Sequence, residues 1–326
     1  MATEKNLIVQ ARKLLYERGQ KGLDLARKII IEENIPSEPL QEAVHYFINS
    51  WEDIMHPAFL SISCEAAGGK PQLTTNFAAS LVLLAGAADL HDDIIDQSTV
   101  KYSKATVFGK FGKDLTILAG EILLFKGLYT LHEACNILTA KQKQTILELT
   151  KKAFLGITSA EAKEISLHGR TESAEEYFEM IKMKSAVSEA TMRIGATLGN
   201  GSTEAIEVLG HCGKTLGILA TSRDEFIDMF EAEELKNRME KECLPLPILV
   251  TFRDLEKKNA ILKLLRQPLN EEIMEKLIDL TMDSWETRNL TEKLKALMNE
   301  ELQRIATIKI CQAELNLLLR ASIENL

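Results

Sequence analysis

Proline is missing from one long stretch of this 326-residue chain: none of its seven falls between Pro71 and Pro245. A proline inside a helix removes a backbone hydrogen bond and clashes with the preceding turn, so its absence permits long unbroken helices. Alternating runs of β-branched and aromatic residues are missing too, and aromatics make up only 6% of the chain. A β-sandwich or barrel is thereby excluded. Nor is there a basic excess. Lys+Arg 39 against Asp+Glu 48 leaves a net charge of −9, which excludes a nucleic-acid footprint. A phosphorylated ligand would then depend on local metals or lysines.

The five cysteines, Cys64, Cys135, Cys212, Cys243 and Cys311, never fall at CxxC spacing. They read as reduced thiols rather than a disulfide frame or a zinc site. The first residues lack the apolar core of a signal peptide. The longest uncharged run, Pro71 to Ala88, opens on polar residues and is marginal for a membrane span. The expectation is a soluble cytoplasmic protein with no membrane span.

What is present is helical spacing. Leu115, Leu118 and Ile122, then Ile146, Leu149 and Phe154, repeat at three- to five-residue intervals. Breaks fall at Gly68-Gly69, at Gly109 to Gly112, at 167–173, at Asn200-Gly201 and at 231–243. No linker, low-complexity segment or repeat interrupts the pattern. It predicts one all-α domain over 1–326, with helices around a deep central cleft. The charged run from Glu231 to Glu242, which includes Arg238, reads as a mobile loop beside that cleft.

Two acidic clusters stand out: Asp92-Asp93-Ile94-Ile95-Asp96 and Asp224-Glu225-Phe226-Ile227-Asp228. Carboxylates at i, i+1 and i+4 of a helix share roughly one face and repel one another. No charge lies between Lys70 and Asp89, so the first cluster ends a core segment rather than a surface helix. Buried carboxylates need cations. Hard divalent ions such as Mg²⁺ take a few carboxylates together with water and substrate phosphate oxygens. The bland alternative is two solvated helix faces. It weakens because two matched clusters each follow apolar sequence.

The order of these elements resembles the trans-isoprenyl diphosphate synthases, among them farnesyl, geranylgeranyl and longer polyprenyl diphosphate synthases. The elements are Gly68-Gly69-Lys70, Asp92 to Asp96, Phe111-Gly112, Leu118-Ala119-Gly120-Glu121, Lys184-Ser185-Ala186, Asp224 to Asp228 and Leu244-Pro245. The resemblance implies a Mg²⁺-dependent trans-prenyltransferase of isoprenoid biosynthesis that condenses an allylic diphosphate with isopentenyl diphosphate. It implies a metal set of about three ions held by Asp92, Asp93, Asp96, Asp224, Glu225 and Asp228. Catalysis would rest on Asp92, Asp93 and Lys184. Substrate contacts would come from Lys70, Lys101, Lys184, Ser185 and Lys241. Ala87 and Ala88, five and four residues before Asp92, stand where bulky aromatics block the growing tail in the family, so a product longer than farnesyl is expected. The family also implies a homodimer or a heteromer with a homologous synthase chain.

The departures are uneven. On the allylic side Lys101 keeps the charge of an arginine, while Thr221, in place of a glutamine, and Glu225, in place of an aspartate, depart. On the isopentenyl diphosphate side, Leu73 and Tyr102 stand where the family has arginines and Ala85 where it has a histidine, leaving Lys70. That asymmetry keeps two other readings open: an accessory or non-catalytic subunit of a heteromeric synthase, and a terpene cyclase-like enzyme. His91 reads as a core residue or as a partner to a metal-bound carboxylate. Glu161 and Glu164 line the cleft or belong to a wet face.

Overall fold

The structure, a computed structural model, describes residues 7–101, 104–167, 174–324 and 326. It is all-α apart from one short hairpin. The helices run α1 (Leu7–Ile31), α2 (Glu38–Ser50), α3 (Met55–Ala66), α4 (Thr75–Ile95) and α5 (Val107–Ala134). They continue with α6 (Ala140–Leu167), α7 (Ala174–Lys184), α8 (Ala186–Leu198), α9 (Thr203–Asp228) and α10 (Ala232–Lys241). The last are α11 (Leu246–Thr251), α12 (Leu255–Leu264), α13 (Glu271–Met282), α14 (Trp285–Arg304) and α15 (Gln312–Ala321). The hairpin pairs β1 (Val100–Lys101) with β2 (Lys104–Ala105), antiparallel. Residues 231–242, expected as a mobile loop, instead contain α10.

Local chemistry sets the helix ends. The Thr106 hydroxyl caps α5 by accepting from the Gly109 amide, and Ser202 does the same for α9 from Ala205. Within α5, Gly112 has φ 81°, a conformation that suits a residue without Cβ, and the helix kinks there.

Three apolar clusters form the core. One joins α1, α2, α4 and α5 through Leu23, Phe47, Leu83 and Leu123. A second gathers Phe77, Leu131, Ile146 and Ile194, and the largest joins Ala11 of α1 and Phe59 and Ile62 of α3 to the helices from α6 to α15. Two α5 glycines let that helix lie close on α4. A Cβ on Gly120 would come 2.5 Å from His91 Nε2, and one on Gly127 2.9 Å from Leu84 Cδ2.

Among the described residues, two helical stretches are long and apolar enough to cross a membrane, Pro71–Ile95 and Val107–Ile137. The most apolar window is 61% buried in the first and 39% in the second. The first spends its apolarity on the core. The second leaves Leu118, Phe125, Leu128 and Tyr129 exposed.

Candidate active site

Helix α4 turns about 100° per residue. This puts Leu81, Ala85, Ala88, Asp89, Asp92 and Asp96 along one half-buried stripe, the wall of the cleft. Ala87 lies about 140° away from Asp92 on that count. It is buried with Leu23, Phe47 and Leu90 in the α1–α2–α5 core. The expectation that Ala87 lines the channel beside Ala88 is therefore corrected. Five residues is not a whole number of turns.

Asp93 also leaves the stripe. It is 3% exposed, and its Oδ1 lies 2.8 Å from Lys101 Nζ on the hairpin. Lys101 is held from two more sides, 3.3 Å from Asp89 and 4.0 Å from Asp92. Asp89, which the sequence reading passed over, thus belongs to the site. Burial works against the Lys101 charge, but Asp89, Asp93 and Asp92 together push its pKa up. Burial, opposed by Lys101, raises Asp93 to about 6. Burial, then Asp92, Glu242 and Glu164, raises Asp96 to about 8, with Lys184 opposing.

Lys184 ends α7. Its Nζ lies 3.1 Å from Glu161 and 2.5 Å from Glu164, both on α6. Those two glutamates therefore line the site rather than a wet face. The charge of Lys184 also feels Asp92, which places the lysine beside the first acidic cluster. Ser185 is buried and its hydroxyl donates to the Lys182 carbonyl, closing the joint between α7 and α8. His91 packs against Gly120.

The second cluster ends α9. Asp224 is exposed, yet neighbouring atoms desolvate it and raise it to about 6. Burial raises Asp228 to about 7 against the pull of Arg238. Glu225 points away from the cleft and is fully engaged. Its Oε1 accepts from the Tyr177 hydroxyl at 2.9 Å, and its Oε2 from the Leu246 amide at 2.9 Å and from Arg238 at 3.0 Å. Arg238 is 5% exposed and donates as well to Asp228 Oδ2, the Cys243 carbonyl and Tyr177. Neither Arg238 nor Tyr177 was singled out as a site residue by sequence reasoning. A usable signal existed, since Ala232, Leu235, Arg238 and Met239 fall at helical spacing on one face of α10.

Lys241 reaches the other cluster, its Nζ donating to the Gln97 carbonyl at 3.1 Å just past Asp96. Helix α10 therefore spans from the second acidic cluster to the first. Lys70 is exposed on the turn that Gly68 opens with φ 93°. Leu73 is 45% exposed and Ala85 half-buried, while Tyr102 lies outside the described residues. Among the described residues, no group of three or more His, Cys, Asp or Glu side chains is gathered closely enough to hold a metal ion by itself.

An apolar wall leads to two carboxylate clusters with lysines between them. The family model described as polyprenyl synthetase matches residues 37–281. The chain belongs to that family, the trans-isoprenyl diphosphate synthases. It is similar to a geranylgeranyl diphosphate synthase of Methanosarcina mazei, 29% identical over 64% of this chain and 65% of the relative. It is also similar to a short chain isoprenyl diphosphate synthase of Methanothermobacter thermautotrophicus, 27% identical over 62% of each. Both alignments thus span a little under two thirds of the relatives' length. The fold matches the crystal structure of a geranylgeranyl pyrophosphate synthetase from Pyrococcus horikoshii. The TM-score is 0.85 at 23% identity, covering 97% of this chain and all of that one.

Proposed function

We propose that the chain is a Mg²⁺-dependent trans-prenyltransferase that elongates an allylic diphosphate with isopentenyl diphosphate. The reading rests above all on one observation. The ends of α4 and α9, together with Lys101, Lys184 and Lys241, gather charge at the mouth of a cleft whose deeper wall is Ala88, Ala85 and Leu81.

The donor set suits Mg²⁺: hard carboxylate oxygens, crowded enough that Asp96 and Asp228 resist ionisation without a cation. Of the six carboxylates the sequence offers, we assign Asp92, Asp96, Asp224 and Asp228 to the metal. Asp93 and Glu225 orient their neighbours through Lys101 and Arg238. Held by these carboxylates, Mg²⁺ would supply the positive charge that offsets the departing diphosphate as the allylic C–O bond ionises. Lys184 and Lys101 hold diphosphate oxygens, and Lys241 joins them by exchanging its bond to Gln97. The α4 wall keeps water from the allylic cation. Isopentenyl diphosphate meets little beyond Lys70, so it binds more weakly than the allylic partner.

We also read the chain as one domain that pairs with a second copy or a homologous synthase chain. Leu118, Phe125 and Leu128 on α5, and Leu147, Phe154 and Leu155 on α6, are large apolar side chains left exposed, and a second chain would cover them. The test of function is direct. Purified protein, Mg²⁺, labelled isopentenyl diphosphate and allylic diphosphates of several lengths should give an elongated product. Free pyrophosphate with a cyclic or alcohol product would overturn the reading. So would no turnover either alone or with an active homologue.

A further inference from the structure

Arg238 has no part in the reading so far beyond holding Glu225. Its geometry is nevertheless specific. One planar guanidinium, almost entirely buried, bonds two of the three acids of the second cluster at once: Asp228 at 2.8 Å and Glu225 at 3.0 Å. Its remaining donors go to the Cys243 carbonyl at 2.8 Å and the Tyr177 hydroxyl at 2.5 Å. The Tyr177 hydroxyl in turn donates a hydrogen bond to Glu225 Oε1. Glu242 lies 3.4 Å from Nε. Lysine, a point donor, could not satisfy these partners together, whereas the guanidinium fork can. The network also accounts for Glu225 standing in place of an aspartate. Its carboxylate must meet Arg238, Tyr177 and the Leu246 amide together, and the extra methylene supplies reach.

We propose that Arg238 is a positioning residue for the metal site: a resident cation that fixes the rotamer of Asp228 and leaves one of its oxygens free to turn toward Asp224. The inference rests on the reading of Asp224 and Asp228 as metal carboxylates.

The experiment measures binding of inorganic pyrophosphate to the full chain by calorimetry while Mg²⁺ is varied. The variants are Arg238→Lys and the double variant Glu225→Gln/Arg238→Met. The double variant removes one buried charge of each sign, so it keeps the net charge of the cluster while taking from Asp228 the guanidinium that holds it. Circular dichroism and thermal melts confirm that each is folded. In both, half-saturating Mg²⁺ should rise about tenfold, while pyrophosphate affinity at saturating Mg²⁺ stays within about twofold of the unaltered chain. Folded variants that titrate with Mg²⁺ like the unaltered chain would overturn the role of Arg238 alone. An unaltered chain that binds no pyrophosphate at any Mg²⁺ concentration would overturn the underlying metal reading, and the inference with it.

Discussion

The two diphosphate sides of the cleft differ sharply in charge. On the allylic side three cations are already paired with carboxylates: Lys101 with Asp89 and Asp93, Lys184 with Glu161 and Glu164, Arg238 with Glu225 and Asp228. On the other side the turn after Gly69 offers Lys70 to solvent beside an exposed Leu73. Carboxylates fix where a lysine points and keep it charged under burial. A lysine with no such neighbours is neither aimed nor pre-oriented, so it contributes less when a ligand arrives. The contrast separates a built anion site from a residual one.

Removing the metal carboxylates should break the comparison most severely. Asp92→Ala or Asp96→Ala should lower Mg²⁺-dependent binding of an allylic diphosphate analogue by roughly a hundredfold or more. Binding at the Lys70 side should be untouched. Equal binding by Asp92→Ala and the unaltered chain in calorimetry would refute the assignment.

Rebuilding the poor side should narrow the gap. Leu73→Arg adds a charged donor worth about 1.5–3 kcal/mol, so isopentenyl diphosphate affinity should rise roughly ten- to hundredfold. Unchanged affinity would mean that position 73 does not face that ligand.

Acidity should act on the rich side alone. Asp96 near 8, Asp228 near 7 and Asp224 near 6 all stand above their unfolded values. Such groups hold protons more tightly when folded. Their contribution to stability is complete below about pH 4 and is lost as the pH climbs through 6 to 8. The ligand-free chain should therefore melt at lower temperature at pH 8 than at pH 5. Mg²⁺ needs the ionised forms, so the melting shift produced by Mg²⁺ with pyrophosphate should grow over the same interval. A shift that shrinks with rising pH would contradict this.

The smallest effect concerns the α4 wall. Ala88→Phe should shorten the product by filling the cleft stripe. Ala87→Phe should leave product length alone and lower stability by about 1–3 kcal/mol through overpacking. Product analysis beside thermal melts distinguishes them, and shortening by Ala87→Phe would restore it as a lining residue.

Much of this was legible before any coordinates. The proline-free stretch and three- to four-residue spacing pointed to an all-α fold, and both acidic clusters sit at helix ends as their sequence context required. Which acid of each cluster faces the cleft was not legible, because i and i+1 differ by about 100° and both count as one face in a coarse reading. Arg238 was hidden in a run of charges that reads as a mobile loop beside the cleft. Only the three-dimensional meeting of α9, α10 and Tyr177 shows that one of those charges is interior. Asp89 was taken as the edge of an apolar run, since its partner Lys101 lies a hairpin away.

The glycines of α5 carry a last consequence. Gly127 leaves no room between its Cα and Leu84, which lies one turn deeper than Ala88. A single methyl group there, on a helix that need not touch the prenyl tail, would push Leu84 aside. The channel could then be re-gauged from behind its own wall, with every lining residue unchanged.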